Sequence, residues 1–337
     1  MAESKRSSKI SVIPTSDFAR WDKFVSTSPQ GSFFHTSRWA NIIKTAFHRD
    51  YEIVCYIKNG QIVGGMIFFY HHKLFWNVIT PTPLFPFTSP LFYRPADEKR
   101  QKTTHNQLTI TSQFIIYLRE HYRYWVLDTP AHSIDMRAFQ WQGASVEPHY
   151  TYKVVLKNID DLLLNFSQTV RKKIKQAESM NCTVYEERTP DILVDLVNSS
   201  YSRHGIKPLI KTNALRSVLE NALDLEQVKL YTAKINGKIK AARLIVVDQN
   251  TIYDLLAGSD DPSGVGSTFL VSYILKTYLK SHNYFDFMGA NHPEIEIFKR
   301  GYGGELVQGF RISNKVKIPL SWLVRFRQYQ FQKKRRL

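Results

Sequence analysis

Residues 284–304 constrain this chain more than any other stretch, because they pass from apolar strand to polar turn to short helix to glycine stop without a spacer. Phe285, Phe287 and Met288 supply the bulk of the strand, and Gly289 ends it. Asn291 is placed to cap a helix, and Pro293 is tolerated in its first turn, where a missing N–H costs little. Glu294 and Glu296 fall near the positive end of that helix, Lys299 and Arg300 near the negative end. Ile295 and Phe298, three apart, are expected to share its buried face. Gly301, Gly303 and Gly304 stop the helix and allow a tight turn.

The remaining chain alternates strands and helices in the same way. Residues 8–14 read as a strand, and a helix follows with Phe18, Trp21 and Phe24 at helical spacing. Asn59-Gly60 and Asn236-Gly237 each sit between apolar runs and signal a hairpin. Residues 80–90 form a proline-studded loop. Helices are expected over 103–122, 133–141, 159–180, 191–203 and 269–281. Strands are expected over 124–128, 183–186, 228–235, 239–248, 251–259 and 306–313. Leu127-Asp128, a polar turn and Phe139-Gln140 through Gly143 repeat the pattern of Phe285-Asp286, a turn and Phe298-Lys299 through Gly303. Two copies of one α/β unit follow, split near 147–158, with Gln140 in the first where the second has Lys299.

A chain of 337 residues can bury roughly three quarters of its unfolded surface. With 43% hydrophobic and 13% aromatic residues it is globular. Two cysteines, Cys55 and Cys182, exclude a disulfide framework and a cysteine-rich zinc site, and suit a reducing cytoplasm. The polar first ten residues lack a signal core, and no apolar run is long enough to cross a bilayer. A net charge of +17 favours anionic partners or serves solubility. No G-x-S-x-G, P-loop or H-E-x-x-H motif is present. His71 and His72 alternate across a strand, which is poor metal geometry, so no metal is expected.

Phe298-Lys299 followed by Gly301-Tyr302-Gly303-Gly304, after a Phe-Asp-Phe-x-Gly strand, resembles the FemABX family and its relatives, the BioF2-like acetyltransferases. The resemblance covers most of the chain. It implies two tandem GNAT-like domains, each a mixed, mostly antiparallel sheet flanked by helices, over 1–150 and 151–337. The first would be degenerate and contribute to substrate binding; the second would hold the chemistry and end in a basic aromatic tail, 321–337.

By the same resemblance, Trp39 and Lys44 stand where the family contacts a nucleotide-linked substrate. Tyr201 and Arg203 stand where it touches substrate phosphate or sugar. Trp39 as core and Lys44 as a solvated charge remain the alternatives. The peptidoglycan enzymes of the family carry an acidic contact in the proline loop, whereas 73–95 holds no acid here. Arg171-Lys172-Lys173-Ile174 through Ala177 resembles the family's basic helix. Lys299 takes the position assigned to oxyanion stabilisation, with a helix C-terminal charge as the alternative. Phe298 would wall the site, and Tyr253, Tyr302 or Asp286 would relay protons. Gly264, Gly266 and Ser267 fit part of a pyrophosphate-binding turn, although Asp261 replaces its Arg or Gln.

The expected activity is N-acyl transfer from acyl-CoA to an amine of a nucleotide-linked sugar or cell-envelope precursor. An aminoacyl-tRNA-dependent transfer to a peptidoglycan precursor is the alternative, and a non-catalytic nucleic-acid or membrane-surface module is a third reading from another class. The expected location is the cytoplasm, with the basic tail able to lie on an anionic membrane. No obligate protein partner is evident.

Overall fold

The computed structural model describes residues 8–315, with the exception of Leu74, His132, Ile134 and His204. The tail 321–337 lies outside the described residues. The chain divides into two compact units. One runs to Pro148 and takes in the residues from Gly309 onward; the other is His149–Gln308.

The N-terminal unit contains β1 (Ser8–Val12), α1 (Phe18–Thr27), α2 (Ser37–Phe47), β2 (Asp50–Lys58), β3 (Gln61–Lys73), β4 (Trp76–Ile79), β5 (Leu91–Phe92), α3 (Arg100–His121), β6 (Tyr124–Asp128) and α4 (Arg137–Trp141). The strands β1, β2, β3 and β4 form an antiparallel meander, and β6 joins β4 in parallel. Asn59 and Gly60 turn the β2–β3 hairpin with φ of 50° and 76°, the left-handed pair that a two-residue turn of this hand needs. Phe68, Phe114, Leu118, Trp125 and Leu127 form the core between sheet and α3.

The C-terminal unit takes up the part of β7 (Ser145–Val155) from His149 onward, α5 (Ile159–Asn165), α6 (Gln168–Ser179), β8 (Thr183–Glu187), α7 (Pro190–Arg203), α8 (Thr212–Ala222), β9 (Val228–Ile235), β10 (Lys238–Val247), β11 (Thr251–Ser259), α9 (Val265–Tyr278), β12 (Tyr284–Asp286), α10 (Pro293–Arg300) and the start of β13 (Glu305–Ser313). Its strands repeat the pattern: β8, β9, β10 and β11 are antiparallel neighbours, β12 joins β11 in parallel, and β7 flanks β12. The end of β13 pairs with β6 in the N-terminal unit. Phe285 and Phe287 are fully buried, each contributing about 1.5–3 kcal/mol.

Several local expectations are corrected. The helix expected over 159–180 is two helices, because the backbone N–H of Ser167 donates to Gly301 O (2.8 Å) and its Oγ caps α6 at Val170 N (3.3 Å). Asn291 does not cap α10: His292 is the N-cap, and Asn291 Oδ1 instead accepts from Tyr150 N. Ile295 is 45% exposed, so only Phe298 of the expected pair packs on the core. Helix α9 begins at Val265 rather than 269, because Gly264 takes φ 67° and the side chains of Asp261 and Ser263 accept from its first amides. Helix α8 had no counterpart in the sequence reading.

Candidate functional site

The site lies where two parallel strands part. β11 pairs with β12 only over Thr251–Tyr253, against Tyr284–Asp286. Beyond Tyr253, β11 continues to Ser259 beside β10. The chain leaving β12 stays instead with β7, through Phe287 N to Tyr152 O (3.0 Å) and Ala290 N to Tyr150 O (2.7 Å). Met288 and Gly289 turn at the fork with φ of 54° and 113°.

The first residue of β11 beyond the fork is Asp254. A register shift between Leu244 and Ile245 places Asp254 opposite Ile245, so Leu255 is the extra residue of a bulge. Such a bulge re-aims the side chains that flank it. Asp254 thereby shares a face with Arg243 of β10, and the two form an ion pair with 6% and 4% exposure. Arg243 Nη2 also donates to Ser267 Oγ (3.1 Å), and its guanidinium carbon lies 5.4 Å from the Phe298 ring centroid. Arg243 Nε and Asp254 Oδ1 are covered and have no hydrogen-bond partner among the described residues. An incompletely satisfied buried pair is expensive to hold by itself, and such pairs concentrate at functional sites.

Lys299 reaches into the same fork from α10. Its Nζ donates to Phe287 O (2.5 Å) and Gly289 O (2.6 Å), the carbonyls on either side of Met288. Burial pulls its pKa down to about 8; Asp254 and Asp286 act upward and Arg243 downward. An ammonium has three N–H groups. Two of them hold the turn, and the third makes no hydrogen bond to a described residue, the Phe287 ring centroid lying 5.8 Å from Nζ. Asp286 is buried below the turn, where its Oδ1 accepts from Thr151 Oγ1 (2.7 Å) and Met288 N (2.8 Å). Burial pushes its carboxyl above the ordinary range, with these hydrogen bonds opposing.

Tyr302 closes the base. It is fully buried, its ring centroid lies 5.3–5.6 Å from those of Phe298, Phe287 and Phe166, and its hydroxyl donates to Thr268 O (3.4 Å). The glycines around it leave room for the α5–α6 junction: a Cβ on Gly303 would stand 2.4 Å from Asn165 Cβ, and one on Gly301 2.9 Å from Val170.

Residues 165–300, which hold the fork, Arg243, Asp254 and Lys299, match the family described as an acetyltransferase (GNAT) domain. The chain carries a GNAT acyltransferase domain. Among solved structures, FemX is 13% identical with a TM-score of 0.68, over 94% of this chain and 99% of that one. The C-terminal domain of a putative lysylphosphatidylglycerol synthetase from Agrobacterium fabrum is 12% identical with a TM-score of 0.56, over 89% and 92%. A tandem GNAT protein from the clavulanic acid biosynthesis pathway is 10% identical with a TM-score of 0.51, over 92% and 99%. No curated protein matches the sequence. The fold is that of the FemABX-like tandem GNAT proteins.

The GNAT domain brings Lys299, Phe298, Tyr302 and Asp286 together, with Ser267 bound to Arg243. Tyr253 is the last β11 residue paired to β12, and burial pushes its hydroxyl well above the usual tyrosine range. Tyr201 and Arg203 lie at the end of α7, and the exposed Arg203 donates to Ser259 O at the end of β11. In the N-terminal unit, Trp39 is fully buried with Nε1 donating to Leu84 O (3.0 Å). Lys44 there pairs with Asp50 at 2.8 Å on the surface. Gly264 is the N-cap of α9, and Gly266 N donates to Asp261 Oδ2 (2.9 Å).

Arg243 and Asp254 were missed as site residues. A signal existed: each is a charge inside an apolar strand, and the two strands are neighbours. Among the described residues, no group of His, Cys, Asp and Glu side chains could hold a metal ion, and no helix is long and apolar enough to cross a membrane.

Proposed function

We propose that the GNAT domain transfers an aminoacyl group, carried as an ester on tRNA, to a primary amine of a nucleotide-linked or cell-envelope precursor. In this reaction the amine nitrogen attacks the ester carbonyl, the new N–C bond forms, and negative charge develops on the carbonyl oxygen. Lys299 meets that charge with its third N–H, while the Phe287 and Gly289 carbonyls hold the head group in place. Collapse breaks the C–O bond to the ribose, and the proton lost by the amine ends on the departing ribose hydroxyl. A preorganised donor of this kind is worth about 3–4 kcal/mol.

The choice of donor rests on Asp261. A CoA pyrophosphate needs the first N–H groups of α9. Asp261 already accepts from Gly266 N (2.9 Å) and Ser263 N (3.0 Å), and Ser263 Oγ accepts from Val265 N (3.2 Å). Burial acts to raise the Asp261 carboxyl, but hydrogen bonds from Ser263, Gly266 and Val265 outweigh it and hold it below its ordinary value. A carboxylate fixed on these amides repels a pyrophosphate. The 46 basic against 29 acidic residues, with Lys173 and Lys240 flanking this helix start, suit a polyanionic donor. Acyl-CoA is the second reading, favoured by the acetyltransferase family match over 165–300.

The test is a donor screen on the purified chain with labelled aminoacyl-tRNA and acyl-CoA series against a panel of amines, preceded by mass spectrometry of retained ligands. Transfer from aminoacyl-tRNA and none from CoA thioesters is expected, with CoA binding appearing in Asp261→Ala. Turnover of a CoA thioester by the unaltered chain would replace this reading with the second.

A further inference from the structure

The loop after β4 is fastened to a cation that has no ion-pair partner among the described residues. Arg49, the residue before β2, donates from Nη1 to Thr82 Oγ1 (3.0 Å), Pro81 O (3.3 Å) and Thr80 Oγ1 (3.4 Å). Thr82 is buried, and Leu84 is held at φ 60° with its carbonyl on Trp39 Nε1, so the loop is built rather than loose. The guanidinium is half-buried, and burial alone lowers its pKa, with no carboxylate offsetting it. The adjacent acid in sequence, Asp50, is taken by Lys44. On the facing strand β3, next to the Tyr70 that pairs with Asp50, is His71, whose Nδ1 is covered and without a hydrogen-bond partner among the described residues. Burial first, then Arg49, Lys73 and His72, all lower the pKa of His71, and no acid acts on it. A partly desolvated guanidinium, two threonine hydroxyls and an imidazole disfavoured as a cation by burial and by neighbouring charges are the donor set that an oxyanion recruits.

We propose that Arg49, Thr80, Thr82 and His71 form a binding site for a phosphoryl group in the N-terminal unit. The site is independent of the chemistry assigned to Lys299. The charge of the incoming phosphoryl group relieves the cation cluster, so binding carries a proton onto His71.

Calorimetric titration of the full-length chain with inorganic pyrophosphate tests this. The unaltered chain should bind it, with net proton uptake read from buffers of different ionisation enthalpy near pH 6.5 and below. Arg49→Gln should weaken binding at least tenfold, while the charge-matched surface change Lys99→Gln should leave it unchanged. His71→Gln, which leaves the bonds of the loop intact, should weaken binding severalfold, less than Arg49→Gln does, and abolish the proton uptake; it decides the matter if melting curves show Arg49→Gln to be unfolded. Displacement of pyrophosphate by a nucleoside diphosphate and not by phosphatidylglycerol vesicles assigns the site to soluble esters, and the reverse assigns it to a lipid headgroup. Unaltered affinity in folded Arg49→Gln, equal weakening by Lys99→Gln, or proton uptake that survives in His71→Gln would overturn the proposal.

Discussion

In the N-terminal unit β6 runs parallel to β4 and leads through a turn into α4; in the C-terminal unit β12 runs parallel to β11 and leads through a turn into α10. Both strands end in an aspartate. Asp128 receives Arg311 in a two-pronged pair of 2.7 and 2.9 Å, with the arginine side chain 43% exposed. Asp286 is buried and receives a threonine hydroxyl and a backbone N–H. At the corresponding helix position, Gln140 of α4 is exposed, whereas Lys299 of α10 reaches back onto the turn. The neighbouring Phe139 is buried, whereas Phe298 is only partly buried and lies over Arg243. One corner has spent its polar groups on structure. The other keeps a desolvated cation, a buried ion pair and an aromatic cover at the parting of two strands. The same scaffold is therefore compatible with a closed corner and an open one, and side chains of strand, turn and helix decide which.

The contrast can be broken most sharply at the two ion pairs. Asp254→Asn leaves Arg243 buried without a counter-charge and should destabilise the C-terminal unit by about 3–5 kcal/mol, read from urea unfolding. A loss below about 1 kcal/mol would make the Arg243–Asp254 pair no different from a surface pair.

The glycine stops provide the next contrast. A Cβ at Gly143 meets nothing within 4 Å, so Gly143→Ala should carry only the roughly 1–2 kcal/mol of a left-handed residue with a side chain. At Gly303 the same φ region is combined with the Asn165 contact, and overpacking should add roughly 1–3 kcal/mol. Equal melting shifts would mean that the α5–α6 junction does not press on the site's base. Asp128→Asn should cost about 1–2 kcal/mol, less than Asp254→Asn because Arg311 keeps access to water, and a loss equal to that of Asp254→Asn would erase the contrast between the two corners.

Much of the architecture could be read from residues alone. The Asn-Gly pairs at 59–60 and 236–237 fixed two hairpins because their left-handed geometry is local. Expected strands over 228–235, 239–248 and 251–259 agree with β9, β10 and β11 to within a residue, because apolar strands between turn residues are a short-range signal. What escaped was set by distant partners. The break at Ser167 exists because Gly301 O is there to receive its N–H, a contact between residues far apart in sequence. Asn291 lost its capping role to Tyr150 N. Ile295 is exposed because α10 meets the core through Phe298 alone among its apolar residues. The Arg243–Asp254 pair depends on a one-residue bulge, and no strand pattern foretells which residue a bulge will swing inward. Lys299 could be nominated by its place in a motif, but its desolvation is a property of the fold.

The most direct measurement is the pH dependence of kcat/KM for the unaltered chain and for Lys299→Met, with the donor found by the screen. The reaction uses the ammonium form, and burial sets its pKa at about 8, so activity should be present below that value and fall as pH rises through it. In the methionine variant the rate should drop by roughly 10²–10³ and the falling limb near pH 8 should vanish. A folded Lys299→Met protein that turns over at the unaltered rate with the same pH profile would contradict the account.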